Sequence, residues 1–353
     1  MRDDMLIGQR AVGRAHRPFV IAELSGNHNQ SLDRALALVE AAAQAGADAV
    51  KLQTYTADTM TLDIRAPGFV ITEKKSLWHG KSLYALYQEA STPWEWHAKI
   101  FARCRELGML AFSTPFDFSA VDFLETLDAP CYKIASFENT DHALLRKVAA
   151  TGKPVIVSTG MASLADLDEA VNCLRMAGCE QFVLLKCTSS YPALPTNSNL
   201  KTLPHLRDLF QCEVGLSDHT LGIGAAVASV ALGATVIEKH FTLARADGGV
   251  DSAFSMEPQE LAQLVKESTT AWQALGGIRY GASAEEKSSL QFRRSLYVVA
   301  DMRAGDVFSE KNLRAIRPGY GLPPKYYEML LGKRIMRDAM KGTPASWDLL
   351  AKP

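Results

Sequence analysis

A chain of 353 residues, 47% hydrophobic and 22% charged, carries enough apolar material for one large domain and a smaller one, and its balance excludes a disordered or fibrous protein. With 38 basic against 39 acidic residues and no basic block, it has no electrostatic footprint for nucleic acid, so any anionic substrate must be met by a few focused cations. The opening MRDDMLIGQRAVGRAH mixes charge signs, no run of about 18 apolar residues follows, and six scattered cysteines lack CxxC spacing; these features predict a reduced, cytoplasmic protein without leader or membrane span.

In chain order, residues 19–25 (FVIAELS) form the first apolar run, and residues 31–45, opened by Ser31 and closed by Gly46, predict a helix. Residues 49–55 (AVKLQTY) lead into a long connection, 56–91, where Trp78, Tyr84 and Tyr87 suggest either a short helix over a catalytic mouth or an insertion packed outside. The next helix, 92–107, is expected to take Thr92 as cap and Pro93 at its first position. Further strands fall at 109–114, 131–136, 154–159, 182–188, 212–217 and 235–241, with helices at 141–150, 163–177, 223–231 and 258–275. Continuous apolar strands suit a sheet covered on both faces, and eight β/α alternations predict a closed (β/α)8 TIM barrel. An open doubly wound sheet is the rival architecture, although no G-x-G-x-x-G follows the first strand. Beyond Gly277 the pattern turns polar and then into short strands punctuated by Gly and Pro. The expected division is a barrel at 1–278, a linker at 279–293 and a small β-rich domain at 294–353.

The active mouth of a barrel lies at the C-terminal ends of its strands. Polar residues crowd there: Glu23 and Asn27-His28-Asn29, Lys51 and Gln53, Thr114, then Lys133, Ser136 and Glu138. Ser158-Thr159, Ser189 and Tyr191, Ser217-Asp218-His219 and Glu238-Lys239-His240 complete the series. Lys51 and Lys133 stand among apolar neighbours, where a buried ammonium needs an anion such as a substrate phosphate or carboxylate. His219 and His240 end consecutive strands, which run about 4.8 Å apart, so both imidazoles can converge on a first-row divalent metal. Glu238 shares the face of His240 and is expected to ligate or orient it. Arg317-Pro318-Gly319 in the tail is a ligand-contact candidate or a plain turn.

The segments IAELSGNHNQ, VKLQTY, FSTPFD, YKIAS, VSTGM, GLSDHT, IEKHFT and IRPGYG resemble the sialic acid synthase family over nearly the whole chain. That resemblance implies a barrel followed by an antifreeze-like (SAF) domain in a domain-swapped homodimer, condensing phosphoenolpyruvate with an amino-sugar aldehyde. It further implies that Lys51, Thr114, Lys133, Ser136, Ser158, Ser189 and Ser217 hold phosphoenolpyruvate, and that His219 and His240 ligate Mn2+ or Mg2+. Glu23, Gln53, Tyr191 and Asp251 would sit at the aldehyde and its hydroxyls, with Arg317 reaching the acceptor from the partner subunit. Ser189 stands where many members carry Asn. LYALYQEASTPWEWH and DGGVDSAFSMEP resemble the pseudaminic acid branch, with sialic and legionaminic acid synthesis as alternatives. Ala253-Phe254, beside Asp251, would then offer an apolar wall to the methyl of a 6-deoxy acceptor. For the water that adds to the enolpyruvyl carbon, Glu23 is the first candidate and Glu138 the second. The rival chemistry is a Schiff-base aldolase working through Lys133.

Overall fold

In the computed structural model, which describes residues 5–74 and 76–351, the chain forms two compact units, one up to Gly276 and one from Gly277 on. The leader-free reading of the N-terminus and the outer ends of the two domain ranges fall partly on residues 1–4 and 352–353, outside the described residues. The first unit is a closed parallel barrel of Phe19–Glu23, Ala49–Thr54, Leu110–Pro115, Tyr132–Ile134, Val155–Ser158, Phe182–Cys187, Glu213–Asp218 and Val236–His240, the last strand bonded back to the first. All eight expected strands form, their ends displaced by one or two residues, and the open sheet is ruled out.

Side chains alternate across each strand, and the inward set explains why apolar runs finish in polar residues. Phe19, Ile21, Phe112, Ile156, Val183 and Leu185 fill the lower barrel as one buried cluster, each contributing roughly 1.5–3 kcal/mol by burial. One inward step further along the same strands stand Glu23, Thr114, Ser158 and Cys187, and Lys51, Lys133, Ser217 and Glu238 point inward from the others toward one cavity. Gly215 is required at the crossing of strands seven and eight, because a Cβ there would collide with the Val236 carbonyl and the Leu185 side chain. An N-terminal hairpin, Met5–Ile7 paired with Arg10–Val12, closes the bottom and adds Met5, Ile7 and Val12 to the same cluster. Asp48 fastens it by accepting from Arg10 Nε at 3.1 Å, Arg17 Nη2 at 2.7 Å and the Val20 amide at 2.9 Å. Those 3-residue strands carry too short a period for sequence reasoning to separate from a loop.

Helices cover the outside. Ser31 caps Leu32–Gln44, and Ser163 forms a capping box with Asp166 at the start of Leu164–Met176, as their sequences indicate. The helix expected at 92–107 runs over Trp94–Glu106 and begins differently: Pro93 is its N-cap and Thr92 does not cap it. The Thr92 hydroxyl is buried instead against His28 Nε2, 3.1 Å away. Among the helices of eight residues or more, Phe118–Glu125 and Thr202–Phe210 escaped the periodicity. Both are short, and the second carries Pro204 in its first turn, where proline is tolerated but obscures the pattern.

The second unit contains the antiparallel pair Ser295–Val298 and Leu313–Ile316 around its own cluster of Leu296, Val298, Phe308, Leu313 and Ile335. A 3-10 stretch, Glu285–Phe292, occupies much of the segment read as linker. No helix among the described residues is long and apolar enough to cross a membrane.

Candidate active site

A cavity of about 450 Å³ opens at the C-terminal ends of the barrel strands. Its floor is built by strand register. Lys51 is the neighbour of Glu23 across strands one and two, and Ser217 that of Glu238 across strands seven and eight. Lys51 Nζ lies 2.5 Å from Glu23 Oε2, 3.1 Å from Thr114 Oγ1 and 3.9 Å from Glu238 Oε2. Lys133 Nζ donates to Glu238 Oε1 at 3.3 Å, and Ser217 Oγ donates to the same oxygen at 3.0 Å. Gln53 Nε2 donates to Glu23 Oε1 at 2.8 Å. All four charged groups are buried, Lys133 at 2% and Lys51 at 3% exposure, so their charges are sustained only by each other or by a bound anion.

The electrostatics are uneven. Burial would raise Glu238, but Lys133 and Lys51 overturn that and hold its carboxyl at about 2. Burial pushes the Lys133 ammonium down, only partly offset by Glu238. Burial also pushes the Glu23 carboxyl up against the pull of Lys51, and it raises Glu138 to about 7. Glu138 Oε2 and Ser158 Oγ lie buried on the lining without a hydrogen-bond partner, and both have capacity to spare for a ligand.

Above the floor, the His219 and His240 rings stand 5.3 Å apart. His219 Nδ1 faces the Thr188 carbonyl at 3.0 Å, and His240 Nδ1 lies 3.3 Å from Ser25 Oγ and 3.9 Å from Asp251 Oδ2. With both Nδ1 atoms engaged, Nε2 of each ring is the atom left for an ion. Burial, reinforced by His219 and the lysines, keeps His240 neutral as a ligand must be. Burial works the same way on His219, but Cys187, whose sulfur lies 3.9 Å from Nδ1, and the Thr188 carbonyl outweigh it and push the ring up. Among the described residues no group of three or more His, Cys, Asp and Glu side chains is placed to hold a metal. The pair therefore fits an ion whose remaining positions are filled by substrate oxygens or water.

The structure gathers Glu23, Lys51, Gln53, Lys133, Ser136, Glu138, Ser158, Tyr191, Ser217, His219, His240 and Asp251 on one cavity. Thr114 and Ser189 are not on its lining. Thr114 lies behind Lys51, which it accepts from, and Ser189 Oγ faces Gly160 beside Ser136 Oγ, where a Cβ on Gly160 would collide with both hydroxyls. Arg317 is exposed on the second unit. Glu238 does not orient His240 as expected, because the lysines and Ser217 claim its oxygens. Asp218 and Lys239 point outward and pair with each other at 3.0 Å. Asn27 and His28 are structural: Asn27 Nδ2 donates to the Phe241 carbonyl and to Ser255 Oγ, both at 2.8 Å.

Three features escaped sequence reasoning. Tyr84 does not face the cavity but donates its hydroxyl to Asp58 at 3.1 Å. Phe254 does not wall the acceptor space: it packs behind the histidines, 4.9 Å from His240 and 5.2 Å from Tyr191, and Ala253 is exposed. Cys187 reads as a packed hydrophobe, yet it lies on the lining with its thiol lowered to about 7, burial being overcome by His219. Its inward parity with Val183 and Leu185 was the available signal.

The NeuB family model matches residues 38–280, and the SAF domain model matches residues 293–351. The chain is 44% identical over 324 residues to a pseudaminic acid synthase of Campylobacter jejuni, spanning 92% of this chain and 94% of that protein. It is 41% identical over 333 residues to a pseudaminic acid synthase of Helicobacter pylori, spanning 94% and 97%. The solved N-acetylneuraminic acid synthetase of Leptospira borgpetersenii, in complex with citrate, superposes with a TM-score of 0.72 at 31% identity, covering 82% of this chain and 96% of that one.

Proposed function

The chain belongs to the NeuB family, and from that premise we propose that it condenses phosphoenolpyruvate with 2,4-diacetamido-2,4,6-trideoxy-L-altrose as a pseudaminic acid synthase. The observation that carries the reading is the floor of two buried lysines beside a histidine pair, in one cavity of about 450 Å³. In this reading C3 of phosphoenolpyruvate forms the new bond to the aldehyde carbon, whose oxygen takes up a proton. Water adds at C2, and the C2–O bond then breaks to release phosphate.

Lys51 and Lys133 neutralise the phosphate and carboxylate, and Ser136, Ser158 and Ser217 supply hydroxyl donors around them. Thr114 holds the Lys51 ammonium, and Ser189 shapes the turn at Gly160. Glu23 handles the attacking water, and Glu138, raised to about 7 and with Oε2 short of a partner, is the second candidate for that role. Gln53, Tyr191 and Asp251 orient the acceptor. His219 and His240 would hold Mn2+ or Mg2+, which supplies Lewis-acid polarisation of a carbonyl when bound. The proposal includes the division into barrel 1–278, linker 279–293 and SAF domain 294–353, a cytoplasmic location, and a domain-swapped homodimer whose exposed Arg317 serves the acceptor of a second copy.

Phosphate release from phosphoenolpyruvate with Mn2+, measured with this sugar and with N-acetylmannosamine, tests the reading. Release that needs the trideoxy sugar and stops with EDTA is the expected result. Turnover of N-acetylmannosamine alone would move the chain to the sialic acid branch. A borohydride-trapped adduct on Lys133 would replace the mechanism with an aldolase.

A further inference from the structure

The cavity is chemically split between a charged floor and an apolar roof. The roof belongs to the 56–91 insertion, which brings Met60, Ile71, Trp78, Leu83 and Leu86 to the lining. Its middle is a small hairpin: Val70 bridges Ser82, the Ile71 amide donates to the Lys81 carbonyl at 2.9 Å, and the Gly80 amide donates to the Ile71 carbonyl at 2.8 Å. Trp78 lies at its turn. The indole N–H, the only polar handle of that ring, donates to the Val250 carbonyl at 2.9 Å, which fixes the ring beside the loop bearing Asp251 and 6.0 Å from Tyr191. Among the described residues, the polar side chains that the insertion adds to the lining are Ser76 and Tyr87. Ser76 Oγ already accepts from the Trp78 backbone amide at 3.2 Å, and Tyr87 packs edge-on to Tyr55 at 5.8 Å.

We infer that Ile71 and Trp78 form the wall that selects the acceptor, receiving the methyl-bearing carbon farthest from the aldehyde. The inference rests on the function proposed above and names its specificity element. The reacting carbon must sit at the lysines and histidines, so the far end of the sugar is directed to the roof. A methyl there meets the aliphatic carbons of Ile71 and the indole carbons of Trp78. A hydroxyl in the same place exchanges water for aliphatic and indole carbon, which a hydrophobic wall penalises by roughly 10- to 100-fold in kcat/KM.

The experiment compares the trideoxy sugar with its 6-hydroxy counterpart in the wild type, Ile71→Ser and Trp78→Gln, using the full chain with Mn2+. The wild type should prefer the 6-deoxy sugar by about 10-fold or more. Each variant should narrow that ratio at least threefold, through KM for the 6-deoxy sugar, while KM for phosphoenolpyruvate stays within about twofold. Both positions lie in a surface insertion, and melting curves verify folding; a wild-type ratio near one overturns the wall even if neither variant folds. Equal kcat/KM for the two sugars in the wild type, or an unchanged ratio in both variants, overturns the wall and leaves the synthase reading intact. No turnover of either sugar overturns both.

Discussion

Glu238→Gln isolates what the buried floor costs the protein. Gln keeps the volume and can still accept from Ser217, but it removes the counter-charge 3.3 Å from Lys133 and 3.9 Å from Lys51. Lys51 retains Glu23 at 2.5 Å, whereas among the described residues no carboxylate other than Glu238 lies within ion-pair distance of Lys133, which is 2% exposed. Breaking a buried pair by removing one partner costs about 3–5 kcal/mol, because the other charge is left without solvent or partner. In a unit of this size that corresponds to a Tm lowered by roughly 6–20 °C. The assay is thermal unfolding followed by circular dichroism, without ligand and then with phosphoenolpyruvate at rising concentration. The anion should return more stability to the variant than to the wild type, since its oxygens become the missing counter-charge. A Tm lowered by less than about 3 °C, or equal stabilisation of both proteins by phosphoenolpyruvate, would refute the claim that Glu238 sustains the lysine charge.

The pH response should report Glu138. Its folded pKa, about 7, lies above its ordinary 4.5 because burial disfavours the charged form, so its contribution is fully present below 4.5 and lost as pH rises through 7. Glu138→Gln should therefore gain about 2–3 kcal/mol on the wild type between pH 5 and pH 8 in urea unfolding, and a constant difference would contradict this. Phe254→Ala removes the ring packed 4.9 Å from His240; it should lower Mn2+ affinity by about 10-fold or more in calorimetric titration, while Phe254→Leu holds most of it. At the barrel bottom, Asp48→Ala takes the carboxylate from the partly exposed Arg10 and Arg17 and leaves the Val20 amide without its acceptor, and should cost about 1–3 kcal/mol with kcat unchanged. A fall in kcat at full stability would show that Asp48 does more than close the barrel.

Much of this architecture was legible along the chain because it is local. Helix caps such as Ser31 and Ser163, and apolar strands such as FVIAE and VIVS, depend on near neighbours, so their period survives in the sequence. Alternation also carried part of the site: once strands were assigned, Glu23, Lys51, Lys133, Ser158 and Ser217 had to point inward together. The short N-terminal hairpin and the helix containing Pro204 were lost because their periods are brief or interrupted.

What the sequence alone determined, then, was the barrel and the inward polar layer, both consequences of period and chain order. Only the tertiary structure decided how that layer is partnered. Glu238 and His240 share a face, yet closure brings Lys133 and Ser217 to the first and Ser25 and Asp251 to the second. Phe254, expected at the acceptor, packs behind the histidines instead, and Trp78 is fixed on the roof by its contact to Val250, which spans 172 residues. Such partnerships follow from packing between distant segments, and no local spacing encodes them.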